Sequence, residues 1–281
     1  DSEPTTPGLV KFWNPYPYRS AFNASSPAEE CERALAHLRN TVVAEGPHMV
    51  AAIILETVVG TNGILVPPDG YLQGVRDLCD EFGIIMICDE VMAGFGRCGE
   101  WFAVNKWGVT PDLITFAKGV NSGYVPLGGV IISPAIAATF DDRVYQGGLT
   151  YSGHPLACAA AVASINIFRE EGIVEHARRL GNDILGPELA KIAERHPSVG
   201  EVRGLGVFWA IELVSDRTTK EPLSAAAMGE LVAAIKAAGV WPFAAGNRIH
   251  VVPPLVIGDD DLRTGLAIID EALAVADEHA S

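Results

Sequence analysis

Three apolar runs without alternation, Met49 to Leu55, Ile84 to Cys88 and Leu113 to Ala117, punctuate the first half of the chain. Unbroken runs of this length predict strands covered on both faces, as in a parallel sheet. Between the first two, Leu72, Val75, Leu78, Cys79 and Phe82 recur at helical spacing, which predicts a βαβ unit. The second and third are linked by Gly94-Phe95-Gly96-Arg97-Cys98-Gly99, with room for only a short helix, and a fourth run, Gly129 to Ile132, follows closely. Upstream, Ser26-Pro27-Ala28-Glu29 reads as a capping box with proline in the first turn. It opens a helix with Cys31, Ala34, Leu35, Leu38 and Val42 on one face. The Pro- and aromatic-rich stretch Asp1 to Asn23 has no period and predicts an extended segment lying on a surface.

The second half begins with a small-residue helix, Pro155 to Glu170, and a longer one, Val174 to Arg195, interrupted or bent at Pro187. After His196-Pro197 the pattern changes to strand–turn–strand from Val199 to Val214, around Gly204-Leu205-Gly206. A helix from Ala225 to Ala238, short strands near Val240 and Ile249, and a helix from Asp259 to Glu278 complete it. The expected organisation is a large α/β domain over 1–197 and a small α+β domain over 198–281, without repeats or low-complexity tracts.

Charge narrows the function classes. Lys+Arg number 20 against Asp+Glu 35, a net charge of −15, which argues against a nucleic-acid or anionic-membrane surface. No apolar run approaches the ~18–20 residues that span a bilayer, and no signal-peptide pattern opens the chain. The five cysteines (Cys31, Cys79, Cys88, Cys98, Cys158) are odd in number and contain no CxxC pair. Reduced thiols of a soluble, cytoplasmic protein are expected, with no metal site.

Each buried run is followed or closed by a charged residue: Glu56, Asp89 and Lys118. Any one of them alone reads as a solvated strand end or a helix cap. Three delivered to one edge of a parallel sheet, where ligands bind, read as a site. Of the six lysines, only Lys118 closes an apolar strand and precedes a glycine; the others sit in polar helices, loops or beside surface tryptophans. A lysine in an apolar setting loses basicity, as a Schiff-base amine requires. Asp89 on a neighbouring strand would pair with a protonated pyridine nitrogen. Thr150, within Gly147-Gly148-Leu149-Thr150-Tyr151-Ser152-Gly153-His154-Pro155, opens a helix and offers a phosphate a hydroxyl and amides, although a plain turn has the same composition. His154 reads as a structural loop residue.

These residues lie in runs that resemble the class III, omega-type aminotransferases, pyridoxal-phosphate enzymes of fold type I. The runs are Ala52-Ile53-Ile54-Leu55-Glu56, Pro67-Pro68-Asp69-Gly70-Tyr71, Asp89 through Arg97, Pro111 through Gly119, Thr150 through Pro155, and Pro253-Pro254-Leu255. They keep the family's order and spacing from about Met49 to the C-terminus. The resemblance implies a mainly parallel large domain plus a small α+β domain, and pyridoxal 5'-phosphate as cofactor. It implies that Lys118 binds the cofactor and shuttles the proton, that Asp89 holds the pyridine nitrogen, and that Val91 packs on the ring. Glu56 would be an acidic position near the site. Thr150 would bind the phosphate in the partner subunit, giving a homodimer with a shared active site.

Two departures bear on substrate. His250 takes the place of an arginine that members acting on gamma- or delta-amino acids carry before Pro-Pro-Leu, Arg248 two residues earlier is the alternative group to reach a substrate carboxylate, and Met92 replaces a glutamine. Both point from 4-aminobutyrate or ornithine toward an omega-amine, beta-amino acid or taurine-like donor, with a 2-oxo acid acceptor. The family's Gly-rich phosphate turn and ring-stacking aromatic are not found in residues 1–48, so the chain is expected to be the C-terminal portion of such an enzyme. Aminomutase, racemase or decarboxylase chemistry would use the same Lys118 and Asp89. A cofactor-free fragment acting as a binding module is the rival from another class, and a nicotinamide dehydrogenase is disfavoured because no GxGxxG follows a strand.

Overall fold

Ser26 Oγ accepts the Glu29 amide at 3.2 Å and Pro27 takes the first position of helix α1 (Pro27–Glu45). The second half of the expected capping box is displaced by one residue, because the Glu29 carboxylate accepts from Ser25 N at 2.6 Å and Ser25 Oγ at 2.7 Å. The computed structural model describes residues 6–281; residues 1–5 of the expected extended segment lie outside the described residues. The rest of that segment is largely irregular and ties down through Tyr16 and Arg19, whose side chains both reach Glu212.

Strand β1 (Ala52–Glu56), helix α2 (Tyr71–Phe82) and strand β2 (Ile85–Asp89) form the βαβ unit. Strand β3 (Leu113–Phe116) adds parallel to β2, and β4 (Gly129–Ile132) closes the sheet antiparallel to β3, in the order β1-β2-β3-β4. Helices α1 and α2 cover one face, burying Leu38, Leu72, Val75, Ile53, Leu55 and Met86 in one cluster. Full burial of a side chain of this size contributes about 2 kcal/mol. The expectation of cover on both faces is met on one only. β1 alternates, with Ile54 56% exposed, and the edge strand β4 leaves Val130 54% exposed.

Beyond the sheet come α3 (Pro134–Ala138), α4 (Pro155–Glu170) and α5 (Ile173–Leu180). A π-helical segment, Gly181–Leu185, joins α5 to α6 (Gly186–Arg195), so the expected bend precedes Pro187. Pro187 sits in the first turn of α6, which runs on from the π segment without a break, so its missing N–H falls inside a continuous helix.

The C-terminal part is an antiparallel sheet of β5 (Val199–Leu205), β6 (Phe208–Asp216), β7 (Glu221–Pro222), β8 (Phe243–Ala245) and β9 (Arg248–Val251). Its order is β5-β6-β9-β8, with β7 pairing β6. Helices α7 (Ala225–Ala237) and α8 (Asp259–Asp277) complete the chain. The second core gathers Ile211, Leu213, Ile249, Leu231 and Leu273, and α5 and α6 join it through Ala177, Leu189 and Ile192. These two helices lie on the N-terminal side of the boundary expected at residue 197. From β6, Phe208 and Ala210 pack instead with Val58, Ile64, Ala93 and Cys98 of the first part.

Candidate active site

The parallel register places Glu56 opposite Asp89, and Asp89 opposite Thr115, so the carboxyl ends of β1, β2 and β3 align. Glu56 Oε2 accepts from Gly60 N at 2.8 Å, which anchors the loop leaving β1. Asp89 Oδ1 accepts from Val91 N at 2.9 Å, closing a tight turn at the end of β2 with Val91 half-buried beside it. Thr115 Oγ1 is buried without a hydrogen-bond partner.

Three residues beyond Thr115, Lys118 adopts φ +40° and heads the one-turn 3-10 segment Lys118–Val120. A positive φ at a non-glycine residue is strained and concentrates at functional sites. Gly119 lets this turn approach the Gly94–Phe95 loop, since a Cβ there would stand 2.8 Å from Phe95 Cβ. The expected apolar setting of Lys118 is a correction: its side chain is exposed. The strand ends at Phe116, so the residue lies past the sheet rather than within it.

Glu90 went unnoticed in the sequence. It is fully buried, its Oε1 accepts from Thr57 Oγ1 at 2.7 Å and Val104 N at 2.9 Å, and its Oε2 accepts from Ala103 N at 2.9 Å. Burial pushes its carboxyl up against the pull of these donors. The available signal was period two: the buried positions Met86 and Cys88 of β2 continue, one step past the strand, to Glu90. Among the described residues, none of Glu56, Asp89 and Glu90 has a cationic partner within ion-pair distance.

The remaining candidates lie elsewhere. Thr150 sits in an exposed stretch and makes no hydrogen bond to Glu56, Asp89 or Lys118. Arg248 Nη1 donates to Asn62 O at 2.6 Å and its Nε to Ala245 O at 3.3 Å, so main-chain carbonyls occupy the guanidinium. His250 is buried with Nε2 unpartnered, its ring 5.1 Å from that of Phe243. Burial, with Arg248 and Arg203 nearby, pushes this imidazole down to about 4. Arg203, also unnoticed in the sequence, donates from Nε to Gly63 O at 2.8 Å and from Nη1 to Glu212 Oε2 at 2.8 Å. It and Arg248 thus hold the loop that begins at Glu56.

A model of the family described as Aminotransferase class-III matches residues 1–273. The putrescine–pyruvate aminotransferase of Pseudomonas aeruginosa is 37% identical over 272 residues, covering 96% of this chain and 58% of its own. The 5-aminovalerate aminotransferase of Pseudomonas putida is 42% identical over 233 residues, covering 81% of this chain and 53% of its own. Among solved structures, the taurine:2-oxoglutarate aminotransferase from Bifidobacterium kashiwanohense, in complex with PLP and glutamate, superposes with a TM-score of 0.92 at 43% identity. It covers 97% of this chain and 62% of that one. The chain spans about three fifths of the length of the curated relatives it matches.

Proposed function

Because the chain belongs to the class III aminotransferases and has their fold, that of the fold type I pyridoxal-phosphate enzymes, we propose that it carries the central part of a transaminase site. The reaction moves an amino group from a primary amine or omega-amino acid to a 2-oxo acid. The observation that carries this reading is the alignment of Glu56, Asp89 and Thr115 across three strand ends, with strained Lys118 just beyond them.

The donor set fits pyridoxal phosphate at its ring end. Asp89 has one oxygen held by Val91 N and, among the described residues, no cation within ion-pair reach, so it has a place for a protonated ring nitrogen. When bound, the cofactor supplies an electron sink for the bond broken at the amine-bearing carbon. Asp89 would hold the ring nitrogen's proton, and Val91 would orient the ring. Lys118 Nζ would hold the cofactor and would carry the proton between the substrate carbon and the cofactor carbon. Thr150 lies in an exposed stretch suited to reaching the phosphate of a second copy, which supports a homodimer. A cytoplasmic location belongs to the same reading, supported by five free cysteines. No helix among the described residues is long and apolar enough to cross a membrane.

His250, held neutral where related enzymes for longer omega-amino acids place an arginine, supports a donor without a distal carboxylate or with a short one. Relatives named for putrescine and taurine agree with that class, while one named for 5-aminovalerate takes a donor with a distal carboxylate. The test is borohydride reduction of the protein incubated with pyridoxal phosphate, followed by peptide mass mapping. Covalent cofactor on Lys118, abolished by Lys118→Ala, is expected. Cofactor bound to no lysine would overturn the reading, and turnover without any 2-oxo acid would replace transamination by a mutase or racemase.

A further inference from the structure

Glu90 is fully buried one residue beyond Asp89, and the chemistry above leaves it unused. Its side chain joins two segments to the end of β2: Thr57, which follows β1, and the amides of Ala103 and Val104, which open the 3-10 segment Ala103–Trp107. Its backbone adds two more links, its N donating to Thr115 O at 2.9 Å and its carbonyl accepting from Gly94 N at 2.9 Å. Each carboxylate oxygen faces an amide that only donates, so the arrangement suits the ionised form. A buried carboxylate with no cation beside it is costly, and filling the space would need only an apolar side chain. The turn that Asp89 closes onto the Val91 amide passes directly through Glu90.

We propose that Glu90 is a positioning residue: by joining three elements at the end of β2 it fixes the Asp89–Val91 turn and aims the Asp89 carboxylate at the cofactor ring. This rests on the cofactor site proposed above, and the test separates the two. Two variants of the full chain are compared with the wild type. Glu90→Gln places an amide group against backbone donors, and the milder Thr57→Val removes one donor while keeping the shape.

Without cofactor, exchange of the Val91 amide is expected to quicken at least tenfold in both variants, because that hydrogen reports the Asp89 turn itself. With pyridoxal phosphate, the variants are expected to bind at least tenfold more weakly and to shift the pH midpoint of the visible absorbance. A lowered melting temperature with unchanged Val91 exchange and an unchanged absorbance midpoint would reduce Glu90 to a cap of the 103–107 turn and overturn the proposal. Wild-type protein that binds no cofactor would sink the cofactor reading. Val91 exchange would then still decide whether Glu90 holds the turn.

Discussion

His250 and Arg248 share one face of β9, while Ile249 and Val251 between and beyond them enter the second core. An imidazole neutral down to about pH 4 in the fold, but titrating near 6.5 when unfolded, takes up its proton first in the unfolded chain. Stability therefore falls as pH drops from about 6.5 toward 4, and levels off below. The loss from this group is on the order of 1–2 kcal/mol after allowing for solvent screening. Urea unfolding of wild type and His250→Phe at pH 7 and pH 4.5 checks it: the variant is expected to lose less on acidification, and equal losses would refute the role of His250. Asp89 and Glu56 were legible because a polar residue ending an apolar run has few places to go. The setting of Lys118 was not, since hydropathy cannot say whether a lysine ends a strand or lies past it. Glu90 escaped because the residue beside Asp89 reads as one more surface acid until the alternation of buried positions is followed through it.

At the level of elements, the apolar runs give the four strands of the first sheet, but their ends drift. Pro47–Met49 forms a 3-10 turn where the run from Met49 suggests strand, so β1 starts at Ala52. The helix ending at Arg195 shows why a bend can be legible and its place not. Proline at 187 marks a disturbance, yet the π segment starts six residues earlier, at Gly181. A Cβ on Gly181 would stand 2.3 Å from Gly206 O, in the turn between β5 and β6. The neighbour is backbone and cannot step aside. Gly181→Ala is therefore expected to destabilise the chain by about 1–3 kcal/mol, as overpacked cores do. A urea midpoint within error of wild type would show that the contact yields.

Across the whole molecule, two cores meet along a seam whose charged centre is Arg203, Glu212 and Glu201, with Tyr16 under the guanidinium at 4.8 Å. Glu212 is 1% exposed and Arg203 10%. Glu212 keeps Arg19 and Tyr16 when Arg203 is removed, so the loss is that of charged hydrogen bonds rather than of a stranded ion, about 1.5–3 kcal/mol. Arg203→Met is expected to lower stability by that amount in urea unfolding; a loss under about 1 kcal/mol would mark the network as incidental. No sequence period reveals this seam, because Tyr16 and Arg19 reach Glu212 from almost two hundred residues away and each charge reads alone as a surface charge. Besides the ion pairs Arg19–Glu212 and Arg178–Glu100, arginines that bridge it address carbonyl oxygens. Arg97 donates to Pro253 O at 2.7 Å, Arg203 to Gly63 O at 2.8 Å, Arg248 to Asn62 O at 2.6 Å and Arg178 to Gly99 O at 2.9 Å. A carbonyl looks the same whatever side chain its residue carries. The receiving loops are thus recognised by their path rather than by their side chains, and where that path needs a glycine, as at Gly63 with φ +130° and no room for a Cβ beside Arg203 and Arg248, the sequence is held as well.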